Sequence, residues 1–330
     1  MPPAKTTNGP RLDRPKGNSQ QARAERRRAI RAAKAAQVAR ARRDERRRRV
    51  RTWGIGVAVV AAAAVAIALV FRDGDDTPAA SAEAPVVGGD LHTVFAVGNS
   101  LYVSGHARAA VSDDGGRTWQ DVGDLEGADA MGWAASGDTL LAGGHPGLYR
   151  STDGGTTFEQ LSGSSAVPDV HALGGAGDVV YLASAQAGVM ASTDGGTTWE
   201  VRNADAGRSF MGTILVDPED TDRLIAPDMS GALATSGDGG RTWTSLGGPM
   251  GAMAATWNPE NTDEIIAAGM QGAERSSDGG ETWTPMKLPS GASTVSYATD
   301  GNTIYAGALS GEQAILYRST DDGSTWTPVT

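Results

Sequence analysis

From residue 93 to its end the chain repeats one short rhythm: a run rich in apolar and β-branched residues, a Gly/Asn/Asp/Ser turn, then another run. Thr93–Val97 and Leu101–Ser104, separated by Gly98-Asn99-Ser100, form the first pair; short β-forming runs bounded by turn residues predict β-strands joined by tight turns. One earlier stretch breaks the rhythm. Trp53–Phe71 is 19 residues without a charge, rich in Ala, Val and Ile, and at helical rise about long enough for the hydrocarbon core of a bilayer. It predicts one transmembrane helix. A cleaved secretory leader is the competing reading, because Ala80-Ser81-Ala82 has the small residues of a cleavage site. The long segment in front of it and the extended apolar core favour an uncleaved anchor.

Charge gives this helix a direction. Residues 1–52 hold 18 of the 29 Lys/Arg against Asp13, Glu25, Asp44 and Glu45, a net of +14, and the remainder carries −24 to give the overall −10. Basic Arg46–Arg49 and Arg51 precede the apolar run and acidic Asp73, Asp75 and Asp76 follow it, so the positive-inside rule predicts a cytoplasmic N-terminus and an extracytoplasmic body. The arginines of the tail fall all round a helical cylinder. That suits a topology signal in contact with anionic membrane lipid; no nucleic-acid partner is expected. The chain has no cysteine, which excludes disulfide scaffolds and thiol chemistry. The expected organisation is a basic cytoplasmic tail over 1–52, a transmembrane helix over 53–71, a flexible linker over 72–89 and an all-β body over 90–330, held at the cell membrane by its single span.

An internal repeat defines that body. Ser-x-Asp-x-Gly-x-Thr-Trp recurs at Ser112–Trp119, Ser151–Phe158, Ser192–Trp199, Ser236–Trp243, Ser276–Trp283 and Ser319–Trp326, with Phe158 in place of one Trp. The six aspartates Asp114, Asp153, Asp194, Asp238, Asp278 and Asp321 are spaced 39 to 44 residues apart, the length of one four-stranded propeller blade. Within each copy the aspartate suits capping of backbone N–H groups, glycine suits positive φ, and the aromatic suits anchoring the hairpin. The motif resembles the Asp-box, or bacterial neuraminidase repeat, found in sialidases and many other propellers, and the resemblance extends from about Leu91 to Thr330. It implies a six-bladed β-propeller with Asp-box turns on one face and is nearly silent on activity. The sequence leaves open whether Ala84–Val87 adds a strand that closes the ring.

In such a propeller the loops before the innermost strand and after the second strand open on the face opposite the boxes. Aligned on the repeat, the residue opening the innermost strand is His92, Met131, His171, Met211, Met253 or Val295, and the residue ending the second strand is His106, His145, Gln186, Met229, Met270 or Leu309. All four histidines and five of the nine methionines therefore take equivalent positions. Imidazole and thioether share little as packing groups, but both bind soft and borderline metals, and copper suits the pair best. The expected metal ligands are His92, His106, His145, His171, Met131, Met211, Met229, Met253 and Met270. Asp90, Asp129 and Asp169 each stand two residues before the first position of their blade and are expected to orient ring N–H groups or to ligate directly. The corresponding function is copper tolerance, storage or delivery, with a copper-handling protein as partner, no turnover chemistry, and methionines plugging a central channel as the bland alternative.

Two other classes stand beside it. Resemblance to sialidases implies a glycoside hydrolase, whose carboxylate clamp needs an arginine cluster. Here Arg117 and Arg241 lie within boxes, Arg150, Arg275 and Arg318 directly precede box serines, and only Arg108 and Arg208 reach the open face on this reading. The other class is an interaction scaffold without chemistry of its own.

Overall fold

The structure, a computed structural model, describes residues 83–137, 139–163 and 167–329. The expected tail and membrane helix, and residues 72–82 of the expected linker, lie outside them. Among the described residues the chain folds into six sheets arranged as blades of a propeller, with a 3-10 turn at Gly123–Leu125. Blade one is β1 (Leu91–Val97), β2 (Ser100–Gly105), β3 (Ala109–Ser112) and β4 (Gln120–Asp121); blade two is β5 (Asp129–Ser136), β6 (Thr139–His145), β7 (Leu148–Ser151) and β8 (Glu159–Gln160). Blade three is β9 (Ala172–Ala176), β10 (Val179–Ser184), β11 (Gly188–Ser192) and β12 (Glu200–Asn203). Blade four opens with a split strand, β13 (Gly212–Thr213) and β14 (Leu215–Asp217), followed by β15 (Asp220–Pro227), β16 (Leu233–Ser236) and β17 (Thr244–Gly247). Blade five is β18 (Ala252–Asn258), β19 (Asn261–Gly269), β20 (Gly272–Ser276) and β21 (Thr284–Met286); blade six is β22 (Ala292–Tyr297), β23 (Ile304–Ser310), β24 (Gln313–Ser319) and β25 (Thr327–Pro328).

The first strand of each blade is innermost and touches its counterpart in the next, and the ring closes between β22 and β1. Side-chain hydroxyls fasten these contacts: Val94 donates its N–H to Thr294 Oγ1, and Thr93 Oγ1 donates to the Met131 carbonyl. Blade four departs from the simple repeat, because β13 pairs in parallel with β9 of blade three before β14 rejoins its own sheet. Residues before β1 also take part in closure. Val86 bridges to Gln313, Ala314 donates to the Pro85 carbonyl and Val87 to that of Glu312, leaving Val87 fully buried. Ala84–Val87 therefore adds a clasp on the β23–β24 turn rather than a complete strand.

Six apolar clusters hold the ring, one in each seam between blades. Alternate residues of an inner strand enter opposite seams, Leu101 and Val103 packing against blade six and Tyr102 against blade two, so both faces of the blade are buried. In the first seam Trp133 is fully buried, its ring 4.8 Å from that of Tyr102 and its Nε1–H donating to Ser104 Oγ at 2.9 Å. The box aromatics go to the same places: Trp119, Phe158, Trp199, Trp243, Trp283 and Trp326 each enter the seam with the preceding blade. The aromatic of the repeat thus ties blade to blade, a role beyond anchoring its own hairpin.

Each box is a closed network. In the first, Ser112 Oγ accepts from Gly116 N–H at 2.8 Å and donates to Asp114 Oδ1, while Asp114 accepts from the N–H groups of Arg117 and Thr118 and from the Thr118 hydroxyl. Gly115 and Gly116 supply the positive φ of the turn, at 76° and 93°. In the sixth box Asp322 takes the Gly115 position with φ 63°, the one non-glycine residue with positive φ among those described; Arg275 holds its carboxylate at 2.8 Å.

Candidate functional site

Because the strands are antiparallel, the start of each innermost strand and the end of each second strand lie on one rim, and the boxes lie on the other. Local backbone irregularity aims the rim side chains. In blades one, two, five and six the innermost strand slips register within its first three residues, and the residue left between paired neighbours is His92, Met131, Met253 or Ser293. Such a bulge turns a side chain out of the alternation that would bury it. In blade six the position belongs to Ser293 and not Val295, which is buried in the seam with blade five. His171 and Met211 directly precede β9 and β13 and are held by His171 N–H to Ala183 O and Met211 N–H to Pro227 O.

Two imidazole–carboxylate clusters stand on this rim, each spanning a seam. The first joins blade one to blade two: His92 Nε2–H donates to Asp129 Oδ1 at 2.6 Å, and His106 Nδ1 lies 3.4 Å from Asp129 Oδ2. The Asp129 carboxyl is largely buried, which works to raise its pKa. The hydrogen bond from His92 and the charges of His92, His106 and His145 outweigh that, and the group is held below the ordinary aspartate value. Asp90 stands at the edge, its side chain 60% exposed and 3.9 Å from His92 Nδ1, with Oδ1 accepting from the Leu91 N–H.

The second cluster joins blade two to blade three. His145 Nε2 and His171 Nε2 lie 3.2 Å apart, and Asp169 Oδ1 is 3.4 Å from the first and 2.8 Å from the second. Asp169 is only 7% exposed, and this oxygen accepts no hydrogen bond despite its close neighbours. A buried carboxylate oxygen to which no neighbouring N–H is aligned is costly and uncommon. Donor atoms about 2.0–2.1 Å from one ion, and between a right angle and a tetrahedral angle apart, stand about 2.8–3.4 Å from one another, which is the spacing of these three.

Glycine makes the approach possible. A Cβ on Gly143 would collide with Val170, and one on Gly144 with the Asp129 carbonyl; a Cβ on Gly105, just before His106, would collide with the Asp90 carbonyl. The pairs Gly105-His106, Gly144-His145 and Gly269-Met270 were a legible signal of this close packing that the spacing of histidines and methionines alone does not carry.

The methionines divide differently. Met131, Met211 and Met253, with His92 and Ser293, line one small cavity of about 20 Å³ where the innermost strands converge. Met229 and Met270 are 46% and 77% exposed at the outer edge of the rim, so they do not join that group. The two arginines expected on the open face are already engaged: Arg108 lies 3.5 Å from Asp121 and 3.4 Å from Glu126, and Arg208 donates to the carbonyls of Ala185 and Ala204.

Residues 110–121 match the BNR/Asp-box repeat family. The chain is a six-bladed propeller with one Asp-box repeat in each blade. This propeller is similar to the GH74 enzyme of Niastella koreensis, with a TM-score of 0.52 and 16% identity over 75% of this chain and 46% of that one. It is also similar to the GH74 xyloglucanase of Xanthomonas campestris, with a TM-score of 0.51 and 18% identity over 74% and 46%. A structure of a nidogen/laminin complex gives a TM-score of 0.55 at 11% identity over 69% of this chain and 91% of that one. The chain spans just under half the length of the GH74 structures, and at these identities the likeness is one of fold. No protein of curated function matches the sequence.

Proposed function

We propose that this BNR/Asp-box propeller binds copper on the rim opposite its boxes, as a protein of copper tolerance, storage or delivery. The observation that carries the reading is the meeting of His145 Nε2, His171 Nε2 and Asp169 Oδ1 within 2.8–3.4 Å around a buried carboxylate oxygen that no hydrogen bond satisfies. Two imidazoles and one carboxylate suit a divalent first-row ion, and Cu(II) binds such donors most tightly in the Irving–Williams order. The neighbouring His92–Asp129–His106 cluster already pairs its carboxylate with a ring N–H, and on this reading it sets the field at the rim and holds a second, weaker site. An extracytoplasmic position on a membrane anchor, with transfer to a copper-handling partner, completes the proposal.

The test is titration of the purified chain with Cu(II) against a competing chelator, followed by electron paramagnetic resonance. Hyperfine structure from two imidazole nitrogens is expected, with its loss in His145→Ala/His171→Ala. Zinc bound more tightly than copper would replace the metal assigned, and turnover of xyloglucan or a sialoside without metal affinity would favour the hydrolase reading.

A further inference from the structure

The cavity between the innermost strands separates the rim donors by chemistry. Its walls include Met131 from blade two, Met211 from the start of blade four and Met253 from blade five, with His92 and Ser293 completing the circle from blades one and six. Three blades thus each supply one thioether to one space. Blade three is the exception, because its His171 turns to His145 across the seam instead.

Methionine in a core normally closes gaps, since its unbranched side chain adapts to irregular space. Met190 and Met286 do so here: each packs into a seam cluster, and Met286 lies against the Gly323 turn. Met131, Met211 and Met253 are only partly buried and leave about 20 Å³ open between them, room for one water or one bare ion and too little for a sugar ring. The bulges at Met131 and Met253 are the backbone feature that points these residues away from the apolar seams and toward this space. A filler would gain more by entering the seam.

We propose that Met131, Met211 and Met253 form a further metal site, selective for a soft monovalent ion, Cu(I), and distinct from the nitrogen–oxygen sites of the two imidazole–carboxylate clusters. Thioether sulfur prefers Cu(I) over Cu(II), whereas imidazole with carboxylate favours the divalent ion. The rim then holds the two oxidation states at different places. His92 belongs to the wall of the sulfur site and hydrogen-bonds Asp129 in the first cluster, so it is the side chain shared by both regions. This inference rests on the copper reading of the rim but uses other donors, so either site can fail while the other stands.

The full-length chain in detergent is titrated with Ag(I), a redox-inert soft probe, and with Cu(I) against a Cu(I)-specific chelator, while methionine methyl resonances are followed by NMR. One Ag(I) equivalent is expected to shift the methyls of Met131, Met211 and Met253 and to leave those of Met190 and Met286 in place. Met131→Leu/Met211→Leu/Met253→Leu keeps side-chain volume and is expected to weaken Ag(I) at least tenfold with Cu(II) affinity unchanged. His145→Ala/His171→Ala is expected to do the reverse. Methyl shifts confined to Met229, Met250 or Met270, or unchanged Ag(I) affinity in the triple variant, overturn the sulfur site. Loss of Cu(II) binding in no variant overturns the nitrogen–oxygen site alone. The wild-type methyl shifts decide the question even where the triple variant fails to fold.

Discussion

The Nε2 atoms of His145 and His171 face each other at 3.2 Å across the seam between blades two and three, although 26 residues separate them in the chain. Their rings are tilted by 58° with centroids 5.2 Å apart, so they meet at the nitrogen corners and not by stacking. Gly143 and Gly144 permit this contact, and Val170 N–H donates to the Gly144 carbonyl to fix the segment that carries Asp169 and His171. The seam is therefore both a packing element and the support of the proposed site.

Replacing the central carboxylate separates ligation from packing. Asp169→Asn preserves shape and burial but removes the anionic oxygen between the two rings. Cu(II) affinity is expected to fall at least about tenfold, the scale on which ligand-supporting groups act, with little change in thermal stability of the metal-free protein. Chelator competition and a thermal melt on the same sample check both halves.

The boxes predict acid sensitivity with a definite sign. Thr118 holds the Asp114 carboxyl at about 2 through its N–H and hydroxyl, and the corresponding threonines hold Asp153, Asp194, Asp238 and Asp278 at about 2 in the same way. Asp321 is lowered for the same reason. A folded pKa below the unfolded value gives stability that is complete above the unfolded value of 3.8 and is lost as pH falls through the folded one. The urea midpoint is expected to drop between about pH 4 and pH 2, and Asp278→Asn to make that drop shallower.

The box serine is the buried member of the network. Ser236 is 3% exposed, accepts from Gly240 N–H at 3.0 Å and donates to Asp238. Ser236→Ala leaves that buried N–H without an acceptor and is expected to cost about 1–3 kcal/mol. For a body of this size that is about 2–4 °C of melting temperature per kcal/mol. Copper binding is expected to be unchanged, because the boxes lie on the rim opposite the histidines.

The clasp before β1 makes a prediction about length. A chain beginning at Asp90 lacks the Val86–Gln313 bridge, the bonds to Glu312 O and from Ala314 N–H, and the buried Val87 side chain. Loss of one fully buried valine alone is worth about 1.5–3 kcal/mol. A melt comparing chains that start at Glu83 and at Asp90 is expected to show the shorter one unfolding first, with blade six as the region of faster amide exchange.

The number of blades and the place of every box were determined by the sequence itself, because a turn closed by hydrogen bonds within eight residues and short β-forming runs between such turns are local properties. The equivalence of His92, His106, His145 and His171 followed from the period of the boxes. Which of them meet did not. Asp129 stands in blade two yet binds the histidines of blade one, and His145 leaves its own blade for Asp169 and His171, because neighbouring blades twist against one another until the rim of one overlies the next. Bulges aimed Met131 and Met253 inward and put Ser293, not Val295, at the sixth position, while Met229 and Met270 point to solvent. A shift of one residue in register reverses the face a side chain occupies, and only the packed ring fixes where that shift occurs.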